Sequence, residues 1–393
     1  MRPLADITVV TLEHAIAAPF ATRQLADLGA RVIKVERPKT GDFARAYDGR
    51  VRGMSSHFMW VNRSKESLTL DLKNERANQL LRKLILEEAD VVVQNLAPGA
   101  AARLGISYEE LSKERPDLIV CDISGYGDSG PYRDKKAYDL LIQSEAGFVS
   151  VTGTKDEPVK AGSSIADIAA GMYAYTNILA ALLEREKTGK GQRLEISMLE
   201  SLVEWMGFPL YYSFEGASQP PRAGAGHATI FPYGPFVAGD GKTVMLGLQN
   251  EREWASFCEH VLQSPELANS ELYHSNSKRH ENREQLTQII TGVFAGMTRD
   301  EVIARLEKAQ IANAQVNNMA EVWDHPQLKA RNRWRNVQSP IGEFPALLPP
   351  GGWAVSEPRM DAVPAVGEHS KSILEWLGCS ATEIESLASE GAI

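Results

Sequence analysis

Short apolar runs alternate with helical patterns over the first two hundred residues, and no other feature of the sequence restricts the fold as strongly. This alternation is typical of β-α units arranged around a mostly parallel sheet. The pattern predicts strands at 7–12, 31–36, 67–72, 89–95, 117–124 and 194–198. It predicts helices at 19–29, 74–88, 108–115 and 165–187. We therefore expect an α/β fold with a Rossmann-like sheet.

The first predicted β-α-β unit, residues 7–36, carries no GxGxxG pattern. Those glycines allow the backbone of a dinucleotide-binding fold to approach a pyrophosphate closely. Their absence disfavours a dinucleotide-binding protein. A Rossmann-like sheet that binds another ligand fits the sequence better.

A stretch rich in Gly, Pro and Ala at 217–241 interrupts the pattern and indicates a domain connection that carries functional loops. We predict a large domain at 1–200, a linker at 201–228, a smaller α/β domain at 229–325, and a return linker with C-terminal helices at 326–393. The smaller domain is predicted to contain a strand at 243–249 and helices at 251–262, 282–295 and 299–308. An irregular passage with several prolines, 330–364, precedes helices at 369–377 and 381–389.

Composition and charge disfavour several functional classes. The 393 residues include 42 basic and 51 acidic side chains, a net charge of -9, so the overall field does not attract nucleic acid. The cysteines form no CxxC pair and the histidines form no HxxxH or HExxH pair, so we expect no metal site. Charged residues interrupt the N-terminal apolar run before it reaches signal-peptide or membrane-spanning length. We expect a soluble cytoplasmic protein that binds neither nucleic acid nor membranes.

Asp167 stands in the first turn of the predicted helix 165–187, where the helix dipole and free amide groups favour an ionised carboxylate. One interpretation is a carboxylate that only stabilises the helix, because acidic residues are common at helix starts. The other is a nucleophile, because an ionised carboxylate shielded from water can attack an activated acyl group and form an anhydride. Position in the helix leaves both interpretations open.

Residues 14–19, HAIAAP, follow the first predicted strand at the sheet edge where open α/β folds place their ligands. Their small side chains allow a ligand to approach closely, although alanines also favour helices in their own right. Several basic side chains lie near the ends of predicted strands and either converge on phosphate groups or face solvent: Arg37, Arg45, Lys65, Arg103 and Lys136.

Two further pairs of polar residues allow more than one interpretation. Tyr138 and Asp139 are either catalytic hydrogen-bonding groups or residues that begin a helix. Arg222 and His227 lie on the glycine-rich stretch. A basic side chain there is either suited to binding a substrate carboxylate as a loop closes, or is an exposed linker charge.

Six segments occur in a fixed order along nearly the whole chain: LADLGARVIKVERPKTGDFAR, VVVQNLAPGAAARLGISYEEL, SGYGDSGPY, KAYD, the segment around Asp167, and REKTGKGQRLEISMLES. Together they resemble the class III coenzyme A (CoA) transferases, the CaiB/BaiF family. The resemblance implies a Rossmann-like large domain built from both chain ends, with the C-terminal helices packed on it, and a smaller α/β domain from the middle. It also implies two interlocked subunits in a homodimer, a CoA thioester as substrate, and no permanently bound cofactor.

The resemblance assigns roles to individual residues. Asp167 matches the catalytic nucleophile, and Tyr138 matches a tyrosine beside the reacting centre. Ile16 and Ala17 match the part of the catalytic loop that lies beside the thioester. The positions that match residues contacting CoA are His14, Ala15, Arg37, Leu70, Lys73, Asn95, Leu96, Arg103 and Lys136.

Departures from the family pattern narrow the substrate. Ile16 stands where the formyl-CoA and oxalate branch has a glutamine, and the tetraglycine run of that branch is absent from 217–241. Both differences disfavour an oxalate-handling enzyme. Ala137 and Tyr138 stand where the 2-methylacyl-CoA racemases carry a catalytic histidine, so the acid and base pair that racemisation needs is incomplete.

Three later segments, RAGAGHATIFPYGPF, NEREWASFCEHVL and IANAQVNNMAEVWDHPQL, resemble the branch that acts on succinate, itaconate, mesaconate or citramalate and their CoA esters. The expected reaction moves CoA from an acyl-CoA such as succinyl-CoA to a small dicarboxylic acid, through an aspartyl anhydride and an aspartyl-CoA thioester. Arg222 and His227 are predicted to bind the second carboxylate of that acid. The alternatives are a racemase of the same fold and a non-catalytic acyl-CoA-binding protein.

Overall fold

The chain divides into two units whose boundaries do not follow the order of the sequence. The computed structural model describes residues 1–352 and 356–393. Unit 1 comprises Met1–Phe148, Ala161–Gly207 and Gln327–Ile393, and unit 2 comprises Val149–Lys160 and Phe208–Pro326. Both chain ends belong to unit 1, as the family resemblance implies. The predicted large domain, 1–200, includes Val149–Lys160, whereas in the structure these residues belong to unit 2.

A six-stranded parallel sheet forms the centre of unit 1. Its strands are β1 (Thr8–Leu12), β2 (Arg31–Glu36), β3 (Lys65–Thr69), β4 (Val91–Gln94), β5 (Ile119–Ser124) and β6 (Arg193–Ser197). They pair in the order β3-β2-β1-β4-β5-β6, all in parallel. The strand order reverses between β1 and β4, and open α/β sheets bind ligands at such a switch point. The Rossmann-like α/β prediction is confirmed.

The α-helices of the chain follow the predicted pattern in most places. In the first half they are α1 (Ala17–Asp27), α2 (Ser56–Val61), α3 (Glu75–Glu88), α4 (Ala100–Arg103), α5 (Tyr108–Leu111), α6 (Asp139–Glu145), α7 (Phe148–Val151) and α8 (Ile165–Thr188). In the second half they are α9 (Met198–Trp205), α10 (Gly207–Tyr212), α11 (Glu251–Ser256), α12 (Asn276–Glu281), α13 (Arg283–Phe294), α14 (Arg299–Lys308), α15 (Met319–Trp323), α16 (Pro326–Ala330), α17 (Ser370–Trp376) and α18 (Ala381–Ser389). Short 3₁₀-helices occur at Phe43–Ala46, Phe214–Gly216 and Pro265–Asn269.

Helix α8 packs closely against α1 at a glycine. A Cβ atom at Gly171 would lie 2.7 Å from the main-chain oxygen of Ala17, so the contact requires a residue without a side chain. Residues four apart share one face of a helix, and Asp167 therefore lies on the same face as Gly171. The close packing brings Asp167 to the start of α1.

Among the described residues, α8 is also the helix that is long and apolar enough to cross a membrane by length and composition. A core helix of a folded domain meets the same two criteria. Ala170, Ala174 and Ile178 of α8 are fully buried in the main core cluster of unit 1, which explains the apolar composition.

The C-terminal segment of unit 1 covers the free edge of β3. The N–H of Thr69 donates to the Ser370 hydroxyl at 2.9 Å. The N–H of Ser67 donates to Nδ1 of His369 at 3.2 Å, and the N–H of His369 donates to the Ser67 carbonyl at 3.0 Å. The edge strand therefore presents few free main-chain groups.

The predicted irregular passage 330–364 contains a short hairpin. Strands β10 (Trp334–Val337) and β11 (Phe344–Leu347) pair in antiparallel orientation. Residues 353–355 of this passage lie outside the described residues. The hairpin has only four residues a strand, too short for its alternation to stand out in the sequence.

Unit 2 contains a three-stranded antiparallel sheet with helices packed on it. Its strands are β7 (Tyr233–Val237), β8 (Thr243–Gly247) and β9 (Ala312–Gln315), in the order β7-β8-β9. Trp254, Phe257 and Phe294 are buried in its core. The predicted helix 251–262 is α11 followed by the π-helix Phe257–Leu262.

Candidate active site

Asp167 lies in the first turn of α8, as predicted, with a partly buried side chain. Burial, and then the negative charge of Asp139, raise the pKa of its carboxyl to about 7, although a hydrogen bond from the main chain of Ala17 opposes the shift. A substantial fraction of the carboxylate is therefore ionised at neutral pH. Because burial shields the carboxylate from solvent, it is suited to nucleophilic attack on an acyl group.

Asp139 begins α6 and also caps the helix that carries the candidate nucleophile. One of its carboxylate oxygens accepts a hydrogen bond from the N–H of Ala166 at 2.8 Å, and the other accepts one from Nε2 of Gln143 at 2.6 Å. The fully buried Gln143 side chain accepts a hydrogen bond from the N–H of Ala161 at 2.9 Å. Asp139 thus starts one helix and fixes the first turn of another.

The loop between β1 and α1 has a main chain held by specific hydrogen bonds. Ala15 adopts a left-handed conformation with φ 59°, which alanine rarely does. The side-chain amide of Asn95 binds both main-chain groups of His14: its oxygen accepts from the His14 N–H and its nitrogen donates to the His14 carbonyl, each at 2.9 Å. Two residues after Ala15, the main chain of Ala17 donates to Asp167.

A cavity of about 610 Å³ opens at the carboxyl ends of β1 and β2. It is lined by five residues that the resemblance assigns to CoA: His14, Arg37, Leu70, Lys73 and Leu96. Lys39 adds a third basic side chain, and Leu12 and Val35 add apolar surface. Cationic and apolar groups together suit a nucleotide that carries phosphates.

Comparison with known proteins identifies the family. The family model described as CoA-transferase family III matches residues 4–370. The chain belongs to CoA-transferase family III. It is therefore an enzyme that uses CoA thioesters as substrates and needs no permanently bound cofactor.

Three relatives illustrate the similarity. A protein from Mus musculus named succinyl-CoA:glutarate CoA-transferase is 32% identical over 400 residues, covering 100% of this chain and 91% of the relative. A succinyl-CoA:mesaconate CoA-transferase from Haloarcula hispanica is 33% identical over 401 residues, covering 96% of this chain and 97% of the relative. The crystal structure of a CAIB/BAIF family protein from Brucella suis has a TM-score of 0.85 and 33% identity, covering 96% of this chain and 99% of the other.

Four aromatic rings form a row beside the active site of this family III enzyme, and the sequence analysis did not single it out. The His14 ring stacks on Phe43 at 5.3 Å, Phe43 meets Tyr47 at 5.7 Å, and Tyr47 meets the edge of His57 at 5.4 Å. Burial, and then the charges of Asp42 and Asp167, raise the pKa of the Tyr47 phenol, which stays protonated as a hydrogen-bond donor. The clustering of aromatic and histidine residues at 43–58 was the signal available in the sequence.

The remaining residues that the resemblance assigns to the family III site differ in their surroundings. Ile16 is buried, with 2% of its surface exposed. The side chain of Tyr138 is 68% exposed at the start of α6. Arg103 in α4 and Lys136 are both exposed, and neither lines the 610 Å³ cavity.

Two basic residues that were candidates for phosphate binding have other partners. Arg45 forms a bidentate ion pair with Glu36, with N···O distances of 2.7 and 2.9 Å. Lys65 is fully buried and donates to Glu13 at 2.6 Å. Lys65 begins a strand and points into the protein, so it does not reach a phosphate in the cavity.

Arg222 and His227 lie in unit 2, whereas Asp167 lies in unit 1. The Arg222 guanidinium donates to the main-chain carbonyls of Thr154, Ser150 and Lys155, at 2.8, 3.4 and 2.9 Å. The His227 ring stacks on Tyr233 at 5.2 Å, and its Nδ1 accepts from the N–H groups of Thr229 and Ile230. The binding of a substrate carboxylate by these two side chains stays a prediction.

Within residues 1–352 and 356–393, no group of three or more His, Cys, Asp or Glu side chains is arranged to hold a metal ion. All three cysteines are free, and burial raises the pKa of the Cys121 and Cys258 thiols, which disfavours thiolate ligands.

Proposed function

We propose that this enzyme transfers CoA from an acyl-CoA donor such as succinyl-CoA to a four- or five-carbon dicarboxylic acid, with Asp167 as the nucleophile. The observation that carries the proposal is the position of Asp167. Its carboxylate stands at the start of a long helix and receives a hydrogen bond from the main chain of Ala17. Ala17 lies three residues after His14, which lines the 610 Å³ cavity with its basic side chains.

The names of the relatives support a dicarboxylate substrate. The relatives from Mus musculus and Haloarcula hispanica are named for succinyl-CoA with glutarate and for succinyl-CoA with mesaconate. Itaconate, mesaconate, citramalate and glutarate share a chain with a carboxylate at each end. Such an acid needs one carboxylate at the reacting centre and a cationic or polar group for the other.

The reaction proceeds through two kinds of covalent intermediate. Asp167 attacks the thioester carbonyl of the donor, the carbon–sulfur bond breaks, and the CoA thiolate leaves an aspartyl anhydride. The thiolate then attacks the aspartyl carbonyl, which releases the donor acid and forms an aspartyl-CoA thioester. The acceptor carboxylate attacks this thioester, expels the thiolate and forms a second anhydride with Asp167. The thiolate then attacks the acceptor carbonyl, which forms the new CoA ester and restores the Asp167 carboxylate, so thioester energy is retained without nucleotide hydrolysis.

The active-site loop has a second role in this scheme. A tetrahedral intermediate forms at each attack, and main-chain N–H groups that are already oriented stabilise its oxyanion by about 3 kcal/mol each. Within the loop, the N–H groups of His14 and Ala15 donate to Asn95 and Asp42, and the main chain of Ala17 donates to Asp167, which leaves the N–H of Ile16 as the loop donor for this role. Exclusion of water from the anhydride keeps hydrolysis slow.

The test is a donor and acceptor panel. Purified enzyme is incubated with succinyl-CoA and, separately, glutarate, itaconate, mesaconate, citramalate and oxalate, and the CoA esters are measured by mass spectrometry. New esters of a dicarboxylic acid support the proposal and name the acceptor. Incorporation of solvent deuterium at the α-carbon of a chiral 2-methylacyl-CoA, without transfer, would instead indicate a racemase. Binding of acyl-CoA without turnover would indicate an acyl-CoA-binding protein.

The role of Asp167 is tested separately. Asp167→Ala should fold normally and lose transfer by at least about a thousandfold. Hydroxylamine added during turnover should convert Asp167 to a hydroxamate that mass spectrometry detects. An Asp167→Ala variant with substantial activity, or an unmodified aspartate under turnover, contradicts the assignment.

We further infer that the enzyme is a cytoplasmic homodimer with interlocked subunits, as the family resemblance implies. Large apolar side chains that are exposed in unit 2 support association: Phe208 is 59% exposed, Tyr211 82% and Phe214 65%. Contiguous exposed apolar surface of this kind is typical of interfaces. Light scattering after size exclusion should give the mass of two chains, and a monomer mass contradicts the inference.

A further inference from the structure

Four charged side chains lie buried together behind the loop that joins β1 to α1. Glu13 follows β1, Lys34 lies in β2, Lys65 begins β3, and Asp42 precedes the 3₁₀-helix Phe43–Ala46. None of the four side chains has any exposed surface. Charges removed from water are costly unless they pair with one another and satisfy their hydrogen bonds. These four residues are called the buried charge cluster below.

Glu13 is the centre of the buried charge cluster. Its Oε1 accepts hydrogen bonds from the Nζ atoms of Lys65 at 2.6 Å and Lys34 at 3.3 Å. Its Oε2 accepts from the hydroxyls of Thr22 at 2.6 Å and Thr11 at 2.9 Å. Burial alone would raise the pKa of Glu13, but the charges of Lys65 and Lys34 outweigh burial and lower that pKa to about 2. Glu13 is therefore ionised throughout the working pH range.

The two lysines bind the main chain of the loop at its two ends. Lys34 Nζ donates to the carbonyl of Glu13 at 3.3 Å, and Lys65 Nζ donates to the carbonyl of Pro19 at 3.0 Å. Residues 14–18 lie between these two carbonyls. An ammonium group has three donors, so each lysine can hold the loop while it pairs with carboxylates of the cluster.

Asp42 binds the loop between those ends. Its Oδ2 accepts from Lys34 Nζ at 2.9 Å, and its Oδ1 accepts from the N–H of Ala15 at 3.3 Å and of Ala44 at 2.9 Å. Ala15 is the loop residue with the left-handed conformation, which costs a non-glycine residue roughly 1 kcal/mol. The cluster therefore holds the main chain where it is most strained.

We propose that the buried charge cluster positions the main chain of residues 14–17 against Asp167, so that Glu13, Lys34, Lys65 and Asp42 act as positioning residues for CoA transfer. The inference rests on the proposed role of Asp167. None of the four side chains touches the substrate, because none is exposed. Loss of the cluster should therefore impair the chemical step more than the binding of acyl-CoA.

The test variant is Asp42→Asn. The asparagine amide has a single oxygen, so its NH2 group faces either the Lys34 ammonium or the N–H groups of Ala15 and Ala44. In both orientations donors face each other, and the hold of Asp42 on the loop is weakened. We expect kcat to fall about 10- to 100-fold, because small misplacements at a reacting centre have effects of that size. The KM for acyl-CoA should change less than about threefold, since none of the four cluster residues lines the 610 Å³ cavity.

Two further readouts separate positioning from general destabilisation. Hydrogen exchange of the amides in residues 13–19 should become about tenfold faster in the variant. The acid limb of kcat/KM should move to higher pH, because Asp167 loses the hydrogen bond from Ala17 while Asp139, Tyr47 and Tyr138 still face it. A purely structural role of Asp42 moves neither quantity.

The matched control is Arg63→Met. Arg63 forms a buried bidentate pair with Asp27 at 2.8 and 2.7 Å, and Arg23 still pairs with Asp27 at 2.7 Å after the change. This second buried ion cluster lies at the far end of α1 and does not contact residues 14–17. The control should lose stability while keeping kcat, the pH profile and loop exchange close to wild type.

Each outcome decides the inference. A folded Asp42→Asn variant with wild-type kcat and loop exchange overturns it, and so does an equal loss of kcat in Arg63→Met. If Asp42→Asn does not fold, Thr22→Val decides by the same criteria, because it keeps the side-chain shape and removes one hydrogen bond to Glu13. If wild type transfers no CoA, the proposed function fails, whereas loop exchange still tests the positioning.

Discussion

The carboxylate of Asp139 accepts a hydrogen bond of 2.8 Å from the N–H of Ala166, the residue next to Asp167. Asp139 thereby satisfies a free N–H in the first turn of α8, which its N-cap residue Ser164 does not do through its side chain. The same carboxylate places a negative charge near the candidate nucleophile and raises its pKa. One residue therefore both fixes the nucleophile and makes it more basic.

The first prediction concerns Asp139→Asn. Asparagine keeps an oxygen that can accept from Ala166 but removes the charge, so the pKa of Asp167 should fall. The acid limb of kcat/KM should move to lower pH by about half a unit to one unit. Glu145→Gln, which changes a charge at the other end of α6, should leave the limb in place. An unchanged limb in Asp139→Asn contradicts the electrostatic effect.

The second prediction concerns the stability of Asp167→Asn at different pH values. Burial raises the pKa of Asp167 to about 7 in the folded protein, whereas an unfolded aspartate has a pKa of about 3.9. Between these values the folded state binds more protons, so the wild-type carboxylate lowers stability as the pH rises. The stability advantage of Asp167→Asn should grow by on the order of 2 kcal/mol from pH 5 to pH 8. Urea unfolding at both pH values measures it, and a constant difference contradicts the raised pKa.

The third prediction concerns Gly171→Ala. The new methyl group would lie 2.7 Å from the Ala17 carbonyl and 3.0 Å from the Phe20 ring, so α8 and α1 must move apart. We expect a loss of about 1–3 kcal/mol in unfolding free energy, together with a lower kcat. Gly292→Ala on α13 is the control, because nothing lies within 4 Å of its added Cβ. That control should be neutral or stabilising by up to about 1 kcal/mol.

The fourth prediction concerns the basic cavity. Arg37→Ala and Lys73→Ala each remove a cation from the cavity lining. If CoA phosphates bind there, the KM for acyl-CoA should rise about tenfold or more, because charge-assisted hydrogen bonds contribute about 1.5–3 kcal/mol. The effect should weaken at high salt, whereas Lys308→Ala on α14 should change nothing. Unchanged acyl-CoA KM values in both variants would place the nucleotide elsewhere.

The fifth prediction concerns Arg222→Ala. If the guanidinium binds the second carboxylate of the acceptor, the KM for the acceptor should rise while the KM for acyl-CoA stays constant. The Arg222 guanidinium also donates hydrogen bonds to three main-chain carbonyls of unit 2, so the stability of the folded protein should fall as well. Comparing acceptor KM with the melting temperature separates the two roles. An unchanged acceptor KM with a lower melting temperature assigns Arg222 to the fold alone.

Much of unit 1 could be predicted because its signals are local. Helix α8 was predicted at 165–187 and spans Ile165–Thr188, since it is long, apolar and ends at Gly189 in a left-handed conformation. Strand β2 was predicted at its observed bounds, because RVIKVE is a short apolar run between a helix and a proline. The helix pattern also placed Asp167 in the first turn of α8, whereas its role as nucleophile was assigned by the family resemblance and stays a prediction.

Pairing between distant residues could not be predicted. Strand β3 was predicted at 67–72 and spans Lys65–Thr69. The apolar run SLTLDL extends beyond Thr69, where the pairing with β2 ends. Lysine side chains are rarely buried, so the local sequence pattern did not predict that Lys65 begins a buried strand. Its charge is neutralised by Glu13, which lies 52 positions earlier in the sequence. For the same reason the buried charge cluster, drawn from two strands and two loops, gave no contiguous signal.

The two hydrogen-bonded residues that cover β3, His369 and Ser370, leave the ribosome long after the strand that they cover. During synthesis the whole of unit 2 is made before them, although β3 was made some three hundred positions earlier. A nascent chain therefore carries an unpaired strand edge while the intervening residues are made, and such an edge can pair with a neighbouring chain. The order of translation, and not only the final contacts, therefore exposes this edge to misassembly in newly made chains.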